Sequence, residues 1–248
     1  MNRFRADLHC HTLLSPCGDI EMTPAFIVRT ALRKGYDIIG ITDHNTTLQG
    51  REIRRMVGGG EPYILCGAEV TTREEAHCLA FADSEESLDA LQRFLDDSLP
   101  KIPNDEEVFG YQLAVNEAEE VIYEVPWLLI SAIDRSIEEV AAFVASIGGI
   151  FIPAHIDKPQ NSVISQLGFV PPDLHSDALE ISARCDLESL LTRHPYLRKR
   201  NSSFIRSSDA HYPEDFCRAV TYFSMSCRNF EEIRMALHGS EGRCVQID

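Results

Sequence analysis

Residues 7–12 read Asp7-Leu8-His9-Cys10-His11-Thr12, and the rest of the chain is interpreted outward from this stretch. It closes a short apolar run, so residues 4–11 are predicted as a strand. In a strand, side chains i and i+2 point to one face, which puts Asp7, His9 and His11 together. Two imidazoles beside a carboxylate make half of a metal site. A pair of surface histidines on an edge strand would look the same, so the reading depends on where the other histidines and acids fall.

They fall at the ends of strand-like runs. His44 follows the run 36–43, Glu69 closes 62–70, His155 closes Ile150 to His155, and Asp209 and His211 follow Ser203 to Ser208. In parallel α/β barrels the C-terminal strand ends converge on one mouth. His77 breaks the rule, because it starts the run 76–82; either that strand is antiparallel or the histidine is reached from the preceding loop. Six histidines and two carboxylates at one mouth would suit two or three divalent ions of zinc, manganese or iron. His175, His194 and His238 lie in a polar loop, before a proline and in a last helical turn, and are read as structural.

Between the strands the spacing turns helical. Thr23-Pro24 supplies a cap and a proline at the first helical position, Ala25, Val28, Ala31 and Leu32 keep the period, and Gly35 stops it. Further helices are predicted at 47–57, after Ser84, after a capping box at Ser136-Ile137-Glu138-Glu139, after Asp186 and after Asn229. Residues 219–225 give one more strand. Repeated strand–helix units predict a TIM-like α/β barrel as one domain over residues 1–248. Residues 98–130 interrupt the rhythm with two alternating stretches, Tyr111 to Val115 and Val121 to Val125, predicting an inserted hairpin that is either a lid or a decoration.

The chain has 248 residues, 44% of them hydrophobic, enough for a full core. No apolar run reaches membrane-spanning length and no secretory leader is evident, so a cytoplasmic protein with no membrane partner is expected. Its eight cysteines form no Cys-x-x-Cys pair and are expected as reduced thiols. Lys and Arg total 23 against 39 Asp and Glu, a formal charge of −16. That acidity argues against a duplex nucleic acid partner, since duplex binding relies on a basic footprint.

Taken in order, Asp7-Leu8-His9-Cys10-His11-Thr12, Thr42-Asp43-His44-Asn45, Gly67-Ala68-Glu69, Pro153-Ala154-His155 and Ser208-Asp209-Ala210-His211 resemble the motifs of the PHP (polymerase and histidinol phosphatase) family. The resemblance implies a distorted seven-stranded (β/α) barrel, a trinuclear metal centre and phosphoesterase activity. It assigns His9, His11, Glu69 and Asp209 to a first metal. Glu69 would bridge to a second metal held with His77 and His155, and His44 with His211 would hold a third. After His11 the family usually has another histidine or aspartate ligand, whereas this chain reads Ser15-Pro16-Cys17-Gly18-Asp19. Cys17 fits an ungapped count and Asp19 fits a three-residue insertion; either, or neither, completes the third site.

The expected activity is metal-dependent hydrolysis of a phosphate ester, small-molecule or nucleotide, through a metal-bridging hydroxide. Glu69, Asp209 and His211 are the expected catalytic residues, with Asp209 or His211 moving the proton. Lys158 and Arg184 are expected to bind the phosphate, with Arg135 and Arg206 as weaker candidates. Asp7 and Asp43 either fix imidazole tautomers or are solvated strand ends. Two alternatives stand beside this reading: an exonuclease on short RNA or DNA ends, and a non-catalytic module stabilised by its metals. Carbon–nitrogen hydrolysis is disfavoured, because no strand-end lysine stands out.

Overall fold

The computed structural model describes residues 1–200 and 202–248. Eleven strands are formed: β1 (Asn2–Cys10), β2 (Ile38–Ile41), β3 (Tyr63–Thr71), β4 (His77–Phe81), β5 (Leu113–Val115), β6 (Val121–Glu124), β7 (Ile150–Pro153), β8 (Leu179–Ser182), β9 (Phe204–Ser207), β10 (Thr221–Met225) and β11 (Cys244–Ile247). Seven of them make one curled sheet in the order β11-β10-β1-β2-β3-β4-β7. β1, β2 and β3 run parallel. β4 is antiparallel to both β3 and β7, and β10 is antiparallel to both β1 and β11.

This mixed half-barrel corrects the expectation of a regular (β/α) barrel. The connection 72–76 is far too short for the crossover of about a dozen residues that a parallel neighbour needs, so β4 must fold back. β11 was not expected from the sequence. β8 and β9 form a separate parallel pair. On one side, Asp177 N donates to Phe151 O at 2.9 Å and Ile156 N to Glu180 O at 2.9 Å. On the other, His11 N donates to Ala210 O at 2.9 Å. The pair is therefore tied to the ends of both β7 and β1.

The helices are α1 (Pro24–Lys34), α2 (Leu48–Val57), α3 (Glu85–Ser98), α4 (Glu106–Phe109), α5 (Ile137–Ser146), α6 (Val163–Leu167), α7 (Leu187–Arg193) and α8 (Phe230–Leu237). Thr23 caps α1 by accepting from Phe26 N at 3.2 Å, and Gly35 ends it in the left-handed region, at φ 69. Its buried stripe is Pro24, Ile27 and Ala31, and Leu32 is exposed. The capping box of α5 closes in both directions, Glu139 N to Ser136 Oγ and Ser136 N to Glu139 Oε2.

α1, α2, α3 and α5 pack their apolar stripes on one face of the sheet, in a core that includes Ile39, Ile41, Cys66 and Phe151. The other face buries Leu8, Ile38, Leu65, Phe81, Ile152 and Phe223, with α8 covering it. Gly40 is required where β2 crosses β1, since a Cβ there would lie 2.2 Å from Leu8 O. All eight cysteines are free. Among the described residues no helix is long and apolar enough to cross a membrane.

Residues 98–130 hold α4 and the antiparallel pair β5–β6, in register Leu113 with Glu124. Three buried amides hold this segment down. Gln49 and Val115 exchange two hydrogen bonds at 2.9 and 2.8 Å. Gln112 donates to Val125 O and Trp127 O and accepts from Leu129 N. Asn45 donates to Leu129 O at 2.7 Å and Ser131 O at 2.9 Å.

Candidate metal centre

His9 is in β1 and His11 just beyond it, while Glu69 lies on β3. The antiparallel turn after β3 brings His77 back opposite Thr71, so the one residue that seemed to sit at the wrong strand end lies at the right one. His44, His155, Asp209 and His211 follow β2, β7 and β9. His155 (φ 29) and Asp209 (φ 52) hold left-handed backbone that non-glycine residues rarely adopt. Such conformations persist only where the surrounding contacts fix them.

Glu69, 1% exposed, is the hub. Its Oε1 lies 2.8 Å from His77 Nδ1, 2.9 Å from His155 Nε2 and 3.3 Å from His9 Nε2. Its Oε2 lies 3.1 Å from His11 Nε2 and 3.3 Å from His44 Nδ1. Asp209 Oδ1 stands 3.3 Å from both His9 Nε2 and His11 Nε2. Three groups therefore offer donor atoms within 4.8 Å of one another: His9, His11, Glu69 and Asp209; His44, Glu69 and His77; and His11, His44 and His211. A cavity of about 250 Å³ opens over them, lined also by Cys17, Ile130, His155, Lys158, Gln160 and Asn161.

The proton inventory tests whether cations fit. His9 Nδ1 donates to Glu180 Oε2 at 2.9 Å. His11 Nδ1 donates to Ser15 Oγ at 2.9 Å, because the Ser15 hydroxyl is itself spent on Asp43 Oδ1 at 2.7 Å. Both Nδ1 atoms thus carry the proton, and both Nε2 atoms present lone pairs. Those lone pairs face each other across 3.2 Å with two carboxylate oxygens beside them. Four converging lone pairs without a shared proton repel one another unless a cation lies among them. Buried His44 Nδ1, His155 Nδ1 and Asp209 Oδ1 also lack hydrogen-bond partners. The donor set fits divalent ions.

Electrostatics agree. Burial would push the Glu69 carboxyl up, but the charges of His77, His9 and His44 outweigh it and hold it well below the carboxylate range. Burial would likewise depress His9, yet Glu180, Asp209 and Glu69 raise it well above the usual imidazole range. His44 is pulled well down by burial, and His211 to about 4 by burial and then the charge of His11. The acidic side of the cluster favours a cation, and the imidazoles nearer the mouth stay neutral.

The tautomer-fixing carboxylates are not the expected pair. Asp7 accepts from Ser208 N at 2.9 Å and makes no hydrogen bond to an imidazole. Asp43 binds Thr12 N, Thr12 Oγ1 and Ser15 Oγ, so it reaches His11 only through the serine. Glu180, which the sequence reading missed, holds His9 directly and also accepts from His155 N at 2.9 Å. Its signal was a lone acid inside the apolar run Ala178-Leu179-Glu180-Ile181.

Lys158 pairs with Asp209 Oδ2 at the mouth. Arg184 is exposed and does not line the cavity, and Arg206 is spent on the carbonyls of Ser182, Ala183 and Cys185. Cys17 lines the cavity, its thiol pushed up by burial and by Glu69 and Asp209. The Asp19 carboxylate instead accepts from Glu21 N at 2.8 Å in its own loop. His238 pairs with Asp177 at 2.7 Å, and neither it nor His175 nor His194 joins the cluster.

The profile of the PHP domain family matches residues 7–147. The chain is 25% identical to YqxK of Bacillus subtilis (strain 168) over an alignment of 281 residues, covering 99% of this chain and 64% of YqxK. Its fold is similar to that of the lesion-specific endonuclease PfuEndoQ of Pyrococcus furiosus, with a TM-score of 0.66 at 22% identity, over 98% of this chain and 58% of that one. It is also similar to a Bifidobacterium adolescentis protein assigned as a metal-dependent phosphoesterase, with a TM-score of 0.56 at 20% identity, over 83% and 87% of the two chains. The chain thus spans less than two thirds of YqxK and of PfuEndoQ. Endonuclease Q has been captured on a 27-mer duplex with an abasic lesion at its active site, in a chain matching this one at a TM-score of 0.66. The exclusion of duplex nucleic acid partners is corrected accordingly. Net charge sums over a whole surface, whereas a duplex meets only one local face.

Proposed function

The chain belongs to the PHP domain family, and from that premise we propose that it is a metal-dependent hydrolase of phosphate esters, acting at the cluster around Glu69. The observation that carries the proposal is the meeting of His9 and His11 lone pairs, 3.2 Å apart, with Glu69 and Asp209. His9, His11, Glu69 and Asp209 would hold one ion, Glu69 with His77 and His155 a second, and His44 with His211 a third, drawn from zinc, manganese or iron. Bound there, divalent ions supply Lewis-acid polarisation and neutralise charge building at phosphorus.

The chain's own residues do the rest. Glu180 and the Ser15–Asp43 relay keep the His9 and His11 protons on Nδ1, so Nε2 faces inward. Lys158 releases Asp209 and offers its ammonium to a phosphoryl oxygen, with Gln160 and Asn161 beside it. His211 Nδ1 donates to Asp209 O at 3.0 Å, which leaves its Nε2 able to take or return a proton at the mouth. Asp209 joins the proton traffic through the oxygen that Lys158 vacates.

The substrate is a small phosphorylated molecule, nucleotides included. A second reading, cleavage of a nucleic acid phosphodiester, is favoured by the likeness to Endonuclease Q in its duplex complex. One experiment separates them. Protein loaded with zinc, manganese or iron is analysed for metal content. It is then offered mononucleotides, nucleotide bisphosphates, histidinol phosphate, short oligonucleotides and a duplex with one abasic site. Release of phosphate from small esters supports the first reading, and duplex nicking supports the second. Metal-loaded protein that turns over none of them sinks both.

A further inference from the structure

A second cavity, of about 350 Å³, lies against the outer wall of the metal centre. The two are separated by one chain segment: Leu129 lines this cavity and its neighbour Ile130 lines the other. Thr46, two residues past His44, forms part of the floor. Tyr123, Pro126 and Trp127 make one wall, while Gln92, Asp96 and Lys101 make the opposite one. The volume falls within the roughly 300–1,000 Å³ of small-molecule sites.

The side chains specify a ligand. Trp127 is the chain's single tryptophan, and Lys101 Nζ stands 5.8 Å over its ring centroid. Gln92 is committed, accepting from Thr47 N at 2.8 Å and Thr47 Oγ1 at 2.9 Å and donating to Asp96 Oδ1 at 3.0 Å. Among the described residues nothing donates to the second Asp96 oxygen. The cavity thus presents aromatic faces for stacking and a carboxylate acceptor at the edge. A phosphate would meet Asp96, and an aliphatic chain would strand it unpaired. A flat heteroaromatic ring with N–H donors on its edge satisfies both walls.

We propose that this cavity receives the nucleobase of a nucleotide whose phosphate lies at the metal centre, an assignment that rests on the phosphoesterase reading. Trp127 emission reports occupancy directly, since the protein has no other indole. Metal-free protein is titrated with adenosine, with adenosine, guanosine and cytidine 5′-monophosphates, and with ribose 5-phosphate and inorganic phosphate. Saturable quenching by the base-bearing ligands alone is expected. Asp96→Ala and Tyr123→Ala should each weaken adenosine binding about tenfold, the loss of a charge-assisted hydrogen bond or of a stacking face. Both residues are exposed, so both variants should fold. Absence of saturable quenching overturns the proposal, as does equal quenching by ribose 5-phosphate or unchanged adenosine binding in both variants. Because adenosine carries no phosphate and no metal is present, this failure is distinct from failure of the phosphoesterase reading. The latter appears as metal-loaded protein that binds adenosine yet hydrolyses no ester.

Discussion

At the metal centre, polar side chains from several strand ends are packed out of water against one another: His9, His11, His44 and Glu69 are each at most 2% exposed. In the β5–β6 hairpin the arrangement is inverted, since all four residues of β6 are exposed although Val121, Ile122 and Tyr123 are apolar. One region buries charge and the other exposes hydrophobic surface. Each runs against the partition that a stable core alone would choose. The centre stores a surplus of lone pairs that only a cation resolves, so its stability should depend on metal. The hairpin is pinned by neutral amides and should not respond to metal at all.

Glu69→Ala is the largest test of this difference. It removes both oxygens around which five imidazoles are arranged, so metal binding and turnover should both be abolished, as measured by elemental analysis and ester hydrolysis. In the unsubstituted protein, metal at a thousandfold excess over its Kd should add about 4 kcal/mol to stability. That corresponds to a rise of about 10 °C in Tm for a chain of this size, and chelation should remove it. A Tm that ignores chelator, or turnover in Glu69→Ala, would break the account of the centre.

A finer test contrasts two buried carboxylates. Glu180→Gln keeps an acceptor for His9 but removes its charge, and a loss of about 10- to 100-fold in zinc affinity is expected in chelator competition. Asp7→Asn, whose partner is Ser208 N, should leave zinc affinity within about twofold. Reversal of that order would mean that His9 is oriented by something other than Glu180.

This pair also marks how far the sequence could be read. Ligands were legible because metal chemistry restricts residue type and strand ends restrict place, as for His44 and His155. Their supports were not legible, because a carboxylate near a ligand in sequence, Asp7, lost to one that arrives from another strand, Glu180. His77 looked misplaced until the length of the 72–76 connection fixed its strand as antiparallel. Lys158 and Arg184 were equivalent cations in sequence, and only packing brought one of them to the mouth. The duplex exclusion failed because a sum of charges carries no information about where they lie.

Gln112→Ala tests the hairpin side. It strands the buried carbonyls of Val125 and Trp127 and the N–H of Leu129. Unpaired groups of this kind cost about 1–3 kcal/mol, or very roughly 2–10 °C in Tm. Metal content should not change. A coupled fall in metal binding would show that hairpin and centre are one cooperative unit rather than two.

The smallest effect belongs to a surface pair far from either region's special chemistry. Glu85 is held below the usual carboxylate range by hydrogen bonds from Arg51 and then Arg54. A carboxyl whose folded pKa is depressed contributes its stability above the unfolded value, near about 4.3, and loses it as pH falls through the folded value. Glu85 is 54% exposed, so screening limits the contribution to at most about 1 kcal/mol. Glu85→Gln should therefore lower Tm by no more than about 4 °C at neutral pH, and the difference from the unsubstituted protein should vanish in acid or at high salt. If Glu85→Gln instead cost as much as Gln112→Ala, exposed ion pairs would have to be counted with the buried amides among the contacts that hold this fold.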